Sequence, residues 1–295
     1  MVQDLATNIG DGEVELKSGG RVKFEYLAIA TGTRQNPPAQ VRSIEKEDGC
    51  MELKDMQGKI KEAKNIAIVG GGPVGVQLAG DIKTFYEDKR VVLIHSRNQL
   101  LPNFGKRLHE FVVSKLVEAG VTIVLDERPL LPKETGVVSL QFKDGRSEQF
   151  DLVVCHPNLP RCRTDINLLS QIPCTGQIPN SSILNRFRPD VISLKNGGIL
   201  VRPTLQILVD DHLTSKTSQI FALGDVAETG GPKMGRAGMM QAEIVRANIV
   251  SLIHGKTELE SYKPIPLEGG LKLSLGKVRA LHSQSHGFRA LLTIV

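Results

Sequence analysis

Three glycines in the segment from Asn65 to Ala79 have the spacing of a turn that binds phosphate. Gly70, Gly72 and Gly75 follow a short apolar stretch, and a helical pattern begins directly behind them. In such a turn the first glycine lets the chain reverse, the second lets a pyrophosphate approach the backbone, and the third lets the helix pack closely on the sheet. The N–H groups at the start of the helix then face the anion. The pattern therefore predicts a pyrophosphate site.

The sequence on either side of these glycines predicts a complete βαβ unit. An apolar strand over 66–69 precedes the turn, and a second strand over 90–94 follows the helix. A glycine motif alone is weak, but this context is the one that dinucleotide-binding units require. The alternative is a glycine turn without a ligand, and the flanking elements favour dinucleotide binding over it.

The end of the second strand indicates which nicotinamide cofactor suits the unit. An acidic residue there usually accepts a hydrogen bond from the adenosine ribose, whereas an arginine suits a 2′-phosphate. This chain has His95, Ser96 and Arg97 at that place and no carboxylate. The hydroxyl and the guanidinium favour NADPH, or both cofactors, over strict use of NADH. The alternative is that Arg97 is a solvent-exposed loop charge.

Two further segments end a predicted strand in Thr-Gly, which brings bare backbone to the carboxyl edge of a sheet. They are Ala30-Thr31-Gly32 and Thr175-Gly176. Ligands of open α/β sheets bind at this edge. The repetition predicts two related nucleotide-binding domains rather than one.

A third segment of this kind is Gly224-Asp225, which follows a predicted buried strand. The carboxylate of Asp225 can accept from sugar hydroxyls, and the glycine beside it keeps the approach open. Gln241 lies early in a helix predicted over 237–253 and could direct its amide at a ring system. The alternative for Asp225 is a helix-capping or turn aspartate.

The remaining patterns are typical of an α/β protein. Alternating residues predict strands over 13–17, 21–29, 137–143 and 148–154, an apolar run predicts a strand over 121–125, and helices are predicted over 44–63 and 106–119. The fold class predicted from these elements is α/β, with two Rossmann-like domains.

Composition limits the class of protein. The chain has 295 residues, of which 40% are hydrophobic and 23% charged, and a net charge of +5. These values are ordinary for a soluble chain of about two domains. No stretch reaches the roughly 18 apolar residues of a membrane helix, and the first residues do not resemble a signal peptide. We therefore expect a cytoplasmic protein.

The cysteines and the basic residues suggest neither a metal site nor a nucleic-acid site. Cys50, Cys155, Cys162 and Cys174 include no C-x-x-C pair, so we expect no metal and no redox-active disulfide. The basic excess is not concentrated in one segment, and no aromatic residues interleave with it. Nucleic-acid binding is therefore not expected.

Taken together, these motifs resemble the flavoproteins with two dinucleotide-binding domains, of the pyridine nucleotide-disulfide oxidoreductase type. Within them the chain is most similar to the branch of ferroptosis-suppressor and apoptosis-inducing-factor-2-like proteins. The segments that point to this branch are 81–86, 92–96, 232–234 and 262–264. The resemblance covers most of residues 1–277. It implies an FAD enzyme that takes hydride from NADH or NADPH and reduces a quinone-type acceptor, with peripheral membrane association through that acceptor.

The resemblance also implies roles for individual residues. Those that hold the nicotinamide cofactor's pyrophosphate would be Gly70, Gly72, Pro73, Val74 and Gly75. Those near its adenosine ribose would be His95, Ser96 and Arg97. Those at the FAD site would be Ala30, Thr31, Gly32, Thr175, Gly176, Gly224, Asp225 and Gln241. Lys233 would lie near the flavin ring, and Gln77, where relatives often carry glutamate, near the nicotinamide. No protein acid or base is implied, because the hydride chemistry belongs to the cofactors.

The same family resemblance implies a domain organisation. An FAD domain over 1–63 and 182–277 would be interrupted by an NAD(P) domain over 64–181, which carries an irregular insert at 156–173, and 278–295 would form an atypical tail. The family's first glycine loop, which holds the FAD pyrophosphate, has no counterpart before Gly70. We therefore expect an incomplete FAD domain, little or no bound FAD and negligible quinone reductase activity from residues 1–295 alone. The alternative function is a non-catalytic NAD(P)-binding remnant or interaction module.

Overall fold

The computed structural model describes residues 1–35, 39–130, 137–154, 171–172, 177–209, 217–276 and 278–283. The chain divides into two compact units. Unit 1 comprises Met1–Arg34 and Gln177–Gly269, and unit 2 comprises Gln35–Gly176 and Gly270–Val295. Each unit is described by itself.

The described residues form short strands and four longer helices. The strands are β1 (Ala6–Ile9), β2 (Glu13–Leu16), β3 (Arg21–Lys23), β4 (Leu27–Ile29), β5 (Thr33–Arg34), β6 (Asn65–Val69), β7 (Arg90–Ile94), β8 (Val121–Val124), β9 (Val138–Gln141), β10 (Ser147–Phe150), β11 (Leu152–Val154), β12 (Gln171–Ile172), β13 (Ile178–Pro179), β14 (Ile199–Leu200), β15 (Ile220–Ala222), β16 (Ala227–Glu228), β17 (Leu271–Leu275) and β18 (Val278–Ser283). The helices are α1 (Lys46–Glu62), α2 (Pro73–Phe85), α3 (Lys106–Glu118) and α4 (Gly235–Ile253).

Unit 2 is built on a parallel sheet with the strand order β12-β11-β6-β7-β8. Its central strands are continuous apolar runs, such as Ile66 to Val69, because a parallel sheet is covered on both faces. The chain passes from β6 outward through β7 to β8 and then returns to β11 on the other side of β6. The carboxyl end of β6 is therefore the point where the strand order reverses, which is where open α/β sheets bind ligands.

Helix α2 leaves this point and is covered by the hairpin of β17 and β18. A Cβ added at Gly80 would lie 3.1 Å from the backbone nitrogen of Gly276, so helix and hairpin are in close contact. Gln77 donates from Nε2 to Ser274 Oγ at 3.0 Å, which adds a polar link between them. The half-buried carboxyl of Asp81 accepts from the Gly276 N–H, and burial raises its pKa.

Unit 1 combines an antiparallel sheet of β1, β2 and β3 with several two-stranded pairs. The pair that matters for function is β4 and β15, which run parallel. A buried cluster that includes Ile9, Ile29, Leu184 and Ile220 packs beneath these strands. A second cluster joins Phe221 of β15 to Tyr262 and to Val245 of α4.

Two predicted strands are wrong, because each is divided in the structure. The strand expected over 21–29 is β3 and β4, which belong to different sheets, and the strand expected over 148–154 is β10 and β11. At the second break, Asp151 Oδ2 accepts from the N–H groups of Lys64 and Asn65 at 2.8 Å each and so joins the start of β11 to the start of β6. Alternation continues through both breaks, so periodicity alone could not locate them.

The predicted insert at 156–173 lies largely outside the described residues. Gln171 and Ile172 are described, and they pair in parallel with β11 as the edge strand of the sheet. The irregular course predicted for the insert is therefore wrong at these two residues. In the predicted tail at 278–295, the described part forms β18, which pairs antiparallel with β17.

The compact units have different bounds from the predicted domains. The first two boundaries lie at 34/35 and 176/177 rather than at 63/64 and 181/182, and helix α1 and the strand β17 belong to unit 2. Compactness does not show what a unit binds. The assignment of an FAD domain and an NAD(P) domain to these segments thus stays a prediction.

Candidate cofactor sites

The glycine turn of unit 2, Gly70–Gly75, joins β6 to α2 and admits no larger residue at its tightest point. A Cβ added at Gly75 would lie 1.9 Å from the carbonyl oxygen of Gly70. Gly70 itself has φ 138°, and its N–H donates to the Ile94 carbonyl at 2.8 Å. Any side chain at position 75 would displace either the turn or the helix, so the sheet, turn and helix are fixed relative to one another.

The N-terminus of α2 has the properties of an anion site. Gly72 is the N-cap and Pro73 the first helical residue, no side chain caps the helix, and its first turn carries no acidic residue. The first N–H groups of the helix and the positive end of its dipole therefore remain available for a phosphate. Because this end stands where the strand order reverses, the residues present fit the pyrophosphate of a nicotinamide cofactor.

His95 is part of the wall of the glycine turn. Its Nδ1 accepts from the Gly71 N–H at 3.0 Å, so the ring keeps that nitrogen unprotonated. A Cβ added at Gly71 would meet the His95 ring at 2.7 Å and Leu100 at 2.4 Å, which shows how closely both side chains enclose the turn. The sequence predicts His95 near the adenosine ribose, and the structure places its ring against Gly71 inside the glycine turn.

Ser96 and Arg97 are exposed beyond the end of β7, as an adenosine contact requires. The Arg97 carbonyl accepts from the Asp126 N–H at 3.2 Å, so Asp126 is the neighbour of Arg97. Asp126 is exposed and has a positive φ of 55°. Sequence reasoning missed this acidic residue, because it follows β8 rather than β7, the strand that His95 follows.

Gln77 is tied to Ser274, as described above, and is half-buried. This places it on the face of α2 that the hairpin covers. Its predicted role near the nicotinamide stays a prediction.

In unit 1 the segments Ala30–Gly32 and Gly224–Asp225 leave the carboxyl ends of two neighbouring parallel strands. The link between them is the Leu223 N–H, which donates to the Ile29 carbonyl at 3.0 Å. Gly32 has φ 62° and Gly224 has φ 71°, and a Cβ added at either would meet no atom within 4 Å. The backbone at Gly32 and Gly224 thus borders open space, and Asp225, which is half-buried, follows directly. Open backbone beside a carboxylate fits the sugar-like chain of a flavin cofactor.

The Thr-Gly end of β4 has a partner that the sequence did not reveal. Thr31 Oγ1 donates to the Asn180 carbonyl at 2.9 Å, and Asn180 Nδ2 donates to the Thr31 carbonyl at 2.9 Å. The Asn180 N–H also donates to the Gly32 carbonyl at 3.0 Å. Asn180 therefore fixes Thr31 and Gly32 at this edge. Thr175 and Gly176, the second predicted Thr-Gly pair, lie outside the described residues.

Two other predicted residues lie close to Gly224 and Asp225 in the chain or the fold. Gln241 is 2% exposed, and its Oε1 accepts from the Gly224 N–H at 2.7 Å. Lys233 donates from Nζ to the Ala227 carbonyl and lies 3.9 Å from Glu228. Gln241 therefore supports the turn with its carbonyl oxygen, while the predicted place of Lys233 near the flavin stays a prediction.

Comparison with known proteins identifies the family. The model of the family described as pyridine nucleotide-disulphide oxidoreductase matches residues 2–244. The chain belongs to this family. The predicted family and the α/β fold class are confirmed, and so, at the level of the family, are FAD and a nicotinamide nucleotide as its cofactors.

The chain is similar to curated proteins over most of its length. It is 35% identical over 280 residues to Fe-regulated protein 8 of Mycosarcoma maydis, covering 90% of this chain and 62% of that protein. It is 30% identical over 254 residues to an FAD-dependent oxidoreductase of Flammulina velutipes, covering 85% and 70%. It is 29% identical over 277 residues to human ferroptosis suppressor protein 1, covering 90% and 65%. The chain thus spans about two thirds of these relatives.

A solved structure shares the fold. A ferredoxin reductase from Rhodopseudomonas palustris matches with a TM-score of 0.68 at 17% identity, covering 98% of this chain and 66% of that one. Among the residues that the structure describes, no helix is both long enough and apolar enough to cross a membrane.

Proposed function

We propose that this chain carries out FAD-dependent oxidation of NADH or NADPH and passes the electrons to a quinone-type acceptor. The observation that carries the proposal is the glycine turn of unit 2, which combines a close glycine contact, an uncapped helix N-terminus and a position where the strand order reverses. Membership of the pyridine nucleotide-disulphide oxidoreductase family supports FAD-dependent oxidation of a nicotinamide cofactor. The quinone acceptor rests on the resemblance to the ferroptosis-suppressor branch.

Unit 2 would bind the nicotinamide cofactor. The N–H groups at the start of α2 would hold its pyrophosphate, while Ser96 and Arg97, exposed at the end of β7, would meet its adenosine ribose. His95 would act through Gly71, because it accepts that residue's N–H and so holds the turn in shape.

Unit 1 would bind part of FAD. Asp225 would accept from the hydroxyls of the sugar-like chain, and the backbone of Thr31 and Gly32, fixed by Asn180, would line the same edge. Bound FAD supplies the capacity to accept hydride and to pass electrons onward. The chain's own residues would bind and orient, which explains why no nucleophile or general base is needed.

The proposed location is the cytoplasm, with peripheral contact to a membrane through an apolar quinone. Nicotinamide cofactor and quinone would be the small-molecule partners. We propose no nucleic-acid partner.

A second candidate is a unit that binds NADPH without turnover. It is favoured by one observation: the glycine turn, the strand ends and His95 all belong to unit 2, so the groups proposed to hold the nicotinamide cofactor come from one unit.

Both candidates are tested with the purified full chain and an excess of FAD. NADPH binding is followed by titration, FAD binding by the visible spectrum, and turnover by NADPH oxidation that depends on an added quinone. Turnover that is lost in Asp225→Ala and kept in Asp55→Ala, an exposed acid on α1, supports the oxidoreductase. NADPH binding without flavin absorbance or turnover supports the second candidate. Absence of both NADPH and NADH binding contradicts both candidates.

A further inference from the structure

Four residues of unit 1 form a buried chain of hydrogen bonds that ends at the Gly224–Asp225 turn. We call Gly224, Gln241, Tyr262 and Glu268 the relay. The Gly224 N–H donates to Gln241 Oε1 at 2.7 Å. The Gln241 side chain also interacts with the Tyr262 hydroxyl and lowers its pKa, and that hydroxyl donates to Glu268 Oε2. Each member is thus linked to the next.

The orientation of the Gln241 amide in the relay is fixed by the Gly224 N–H. Because Gln241 uses its carbonyl oxygen to accept from Gly224, only its amide NH₂ can face Tyr262. The Tyr262 hydroxyl donates to Glu268, so its oxygen is left to interact with the NH₂ group. Bonds arranged head to tail polarise one another, and burial strengthens each of them. A flipped amide would place two donors, the Gly224 N–H and the NH₂ group, against each other.

The three side chains of the relay are buried. Gln241 is 2% exposed, Tyr262 8% and Glu268 1%. Burial and the bond to Glu268 raise the pKa of the Tyr262 hydroxyl to about 12, which keeps its proton in place at any ordinary pH. The backbone is held as well, since the Tyr262 N–H donates to the Pro203 carbonyl at 2.8 Å. Asn248, which is 0% exposed, binds both the N–H and the carbonyl of Glu260.

Tyr262 also lies beneath a second segment of the proposed flavin site. A Cβ added at Gly231 would stand 3.2 Å from the Tyr262 hydroxyl oxygen and 3.0 Å from Pro264. Gly231 begins the short segment that leads to Lys233. One hydroxyl therefore supports both the Gly224–Asp225 turn, through Gln241, and the segment that carries Lys233, by contact.

We propose that Tyr262 and Glu268 are positioning residues that hold the Gly224–Asp225 turn, through the amide of Gln241, in the orientation that binds the flavin cofactor. The flavin part of this inference rests on the proposed function. Sequence reasoning did not reach it, because Glu268 reads as a surface acid between Leu267 and Gly269, and Tyr262 entered only as part of a family resemblance.

The first test compares Tyr262→Phe with Tyr26→Phe in the full chain. Tyr26 packs against the same cluster as Tyr262, so its variant removes a hydroxyl near the same core without touching the relay. Hydrogen exchange of the Gly224 amide is read by NMR in the absence of FAD, and FAD affinity by titration. In Tyr262→Phe we expect the Gly224 amide hydrogen to exchange about tenfold faster, as for the loss of one buried hydrogen bond. We expect FAD binding to weaken several-fold in the same variant. We expect Tyr26→Phe to change neither.

Glu268 provides an independent test if the phenylalanine variant does not fold. Glu268→Leu should speed exchange of the Gly224 amide hydrogen. Glu268→Gln keeps an acceptor of the same length, so in this variant the exchange rate should be close to that of the wild type. A general loss of packing would not be rescued in this way. Unchanged Gly224 exchange in a folded Tyr262→Phe or Glu268→Leu variant overturns the inference. A wild-type chain that binds no FAD overturns the flavin assignment instead, and Gly224 exchange then decides the relay by itself.

Discussion

Gly75 approaches the carbonyl oxygen of Gly70 so closely that an added Cβ would lie 1.9 Å from it. Real Cβ atoms do not come this near to an oxygen, so the contact exists only because position 75 has no side chain. It fixes the direction of α2, and with it the N–H groups that the proposed cofactor would meet.

Gly75→Ala should abolish NADPH binding, because the new methyl group must move either the turn or the helix. We expect at least a tenfold loss of affinity, together with a lower free energy of unfolding by about 1–3 kcal/mol, as is typical of overpacking. The control is Gly58→Ala in α1, where an added Cβ meets no atom within 4 Å. Normal NADPH affinity in Gly75→Ala would show that the turn is not the nucleotide site.

Arg97→Glu should weaken NADPH binding by about 1–3 kcal/mol, because a charge-assisted contact to the 2′-phosphate is replaced by repulsion. NADH binding should change little. Arg107→Glu makes the same charge change at an exposed position of α3 and serves as the control. Isothermal titration with both cofactors measures the effect. Tighter NADH than NADPH binding in the wild type, unaffected by Arg97→Glu, would assign specificity to Asp126 instead.

Asp151→Asn should lower the free energy of unfolding at pH 7. Two backbone N–H groups, those of Asn65 and Lys64, hold the pKa of the Asp151 carboxyl below its ordinary value of 3.8. The charged form is therefore favoured in the folded chain, and its contribution is present above about pH 4 and is lost as the pH falls through the lowered pKa. We expect a loss of about 1 kcal/mol at pH 7 that shrinks in acid. Urea unfolding at a series of pH values measures it, and a loss independent of pH would contradict this assignment.

Asp81→Asn should raise the free energy of unfolding at pH 7, the opposite of the effect expected for Asp151→Asn. Burial raises the pKa of the Asp81 carboxyl, although the Gly276 N–H partly opposes this. The charged form is then disfavoured in the folded chain at pH 7, and the penalty disappears as the pH falls through the raised pKa. The variant should therefore raise the unfolding midpoint at pH 7 and lose this advantage in acid, while its amide oxygen can still accept from Gly276. A lower midpoint at pH 7 would mean that the charge stabilises the hairpin of β17 and β18.

The sequence by itself was sufficient to predict β6, the glycine turn, α2 and β7. These elements are adjacent in the chain, and their signals are local: an apolar run, glycines at fixed spacing and a helical period. The bounds of β7 agree with the prediction at both ends. The same local signals placed Gly224-Asp225 after a buried strand.

The tertiary structure alone decided which distant residues meet at these edges. Asp126 reaches Arg97 because β8 lies beside β7, and Asn180 reaches Thr31 across a separation of 149 residues. Glu268 becomes a buried acceptor only because Tyr262 is folded beneath Gly231 and α4. None of these pairs has a local signal, since a hydrogen bond between distant residues depends on the path of the chain between them. The sequence therefore indicated the residues that are proposed to touch the cofactors. The fold revealed the further residues that hydrogen-bond to those residues and fix their positions.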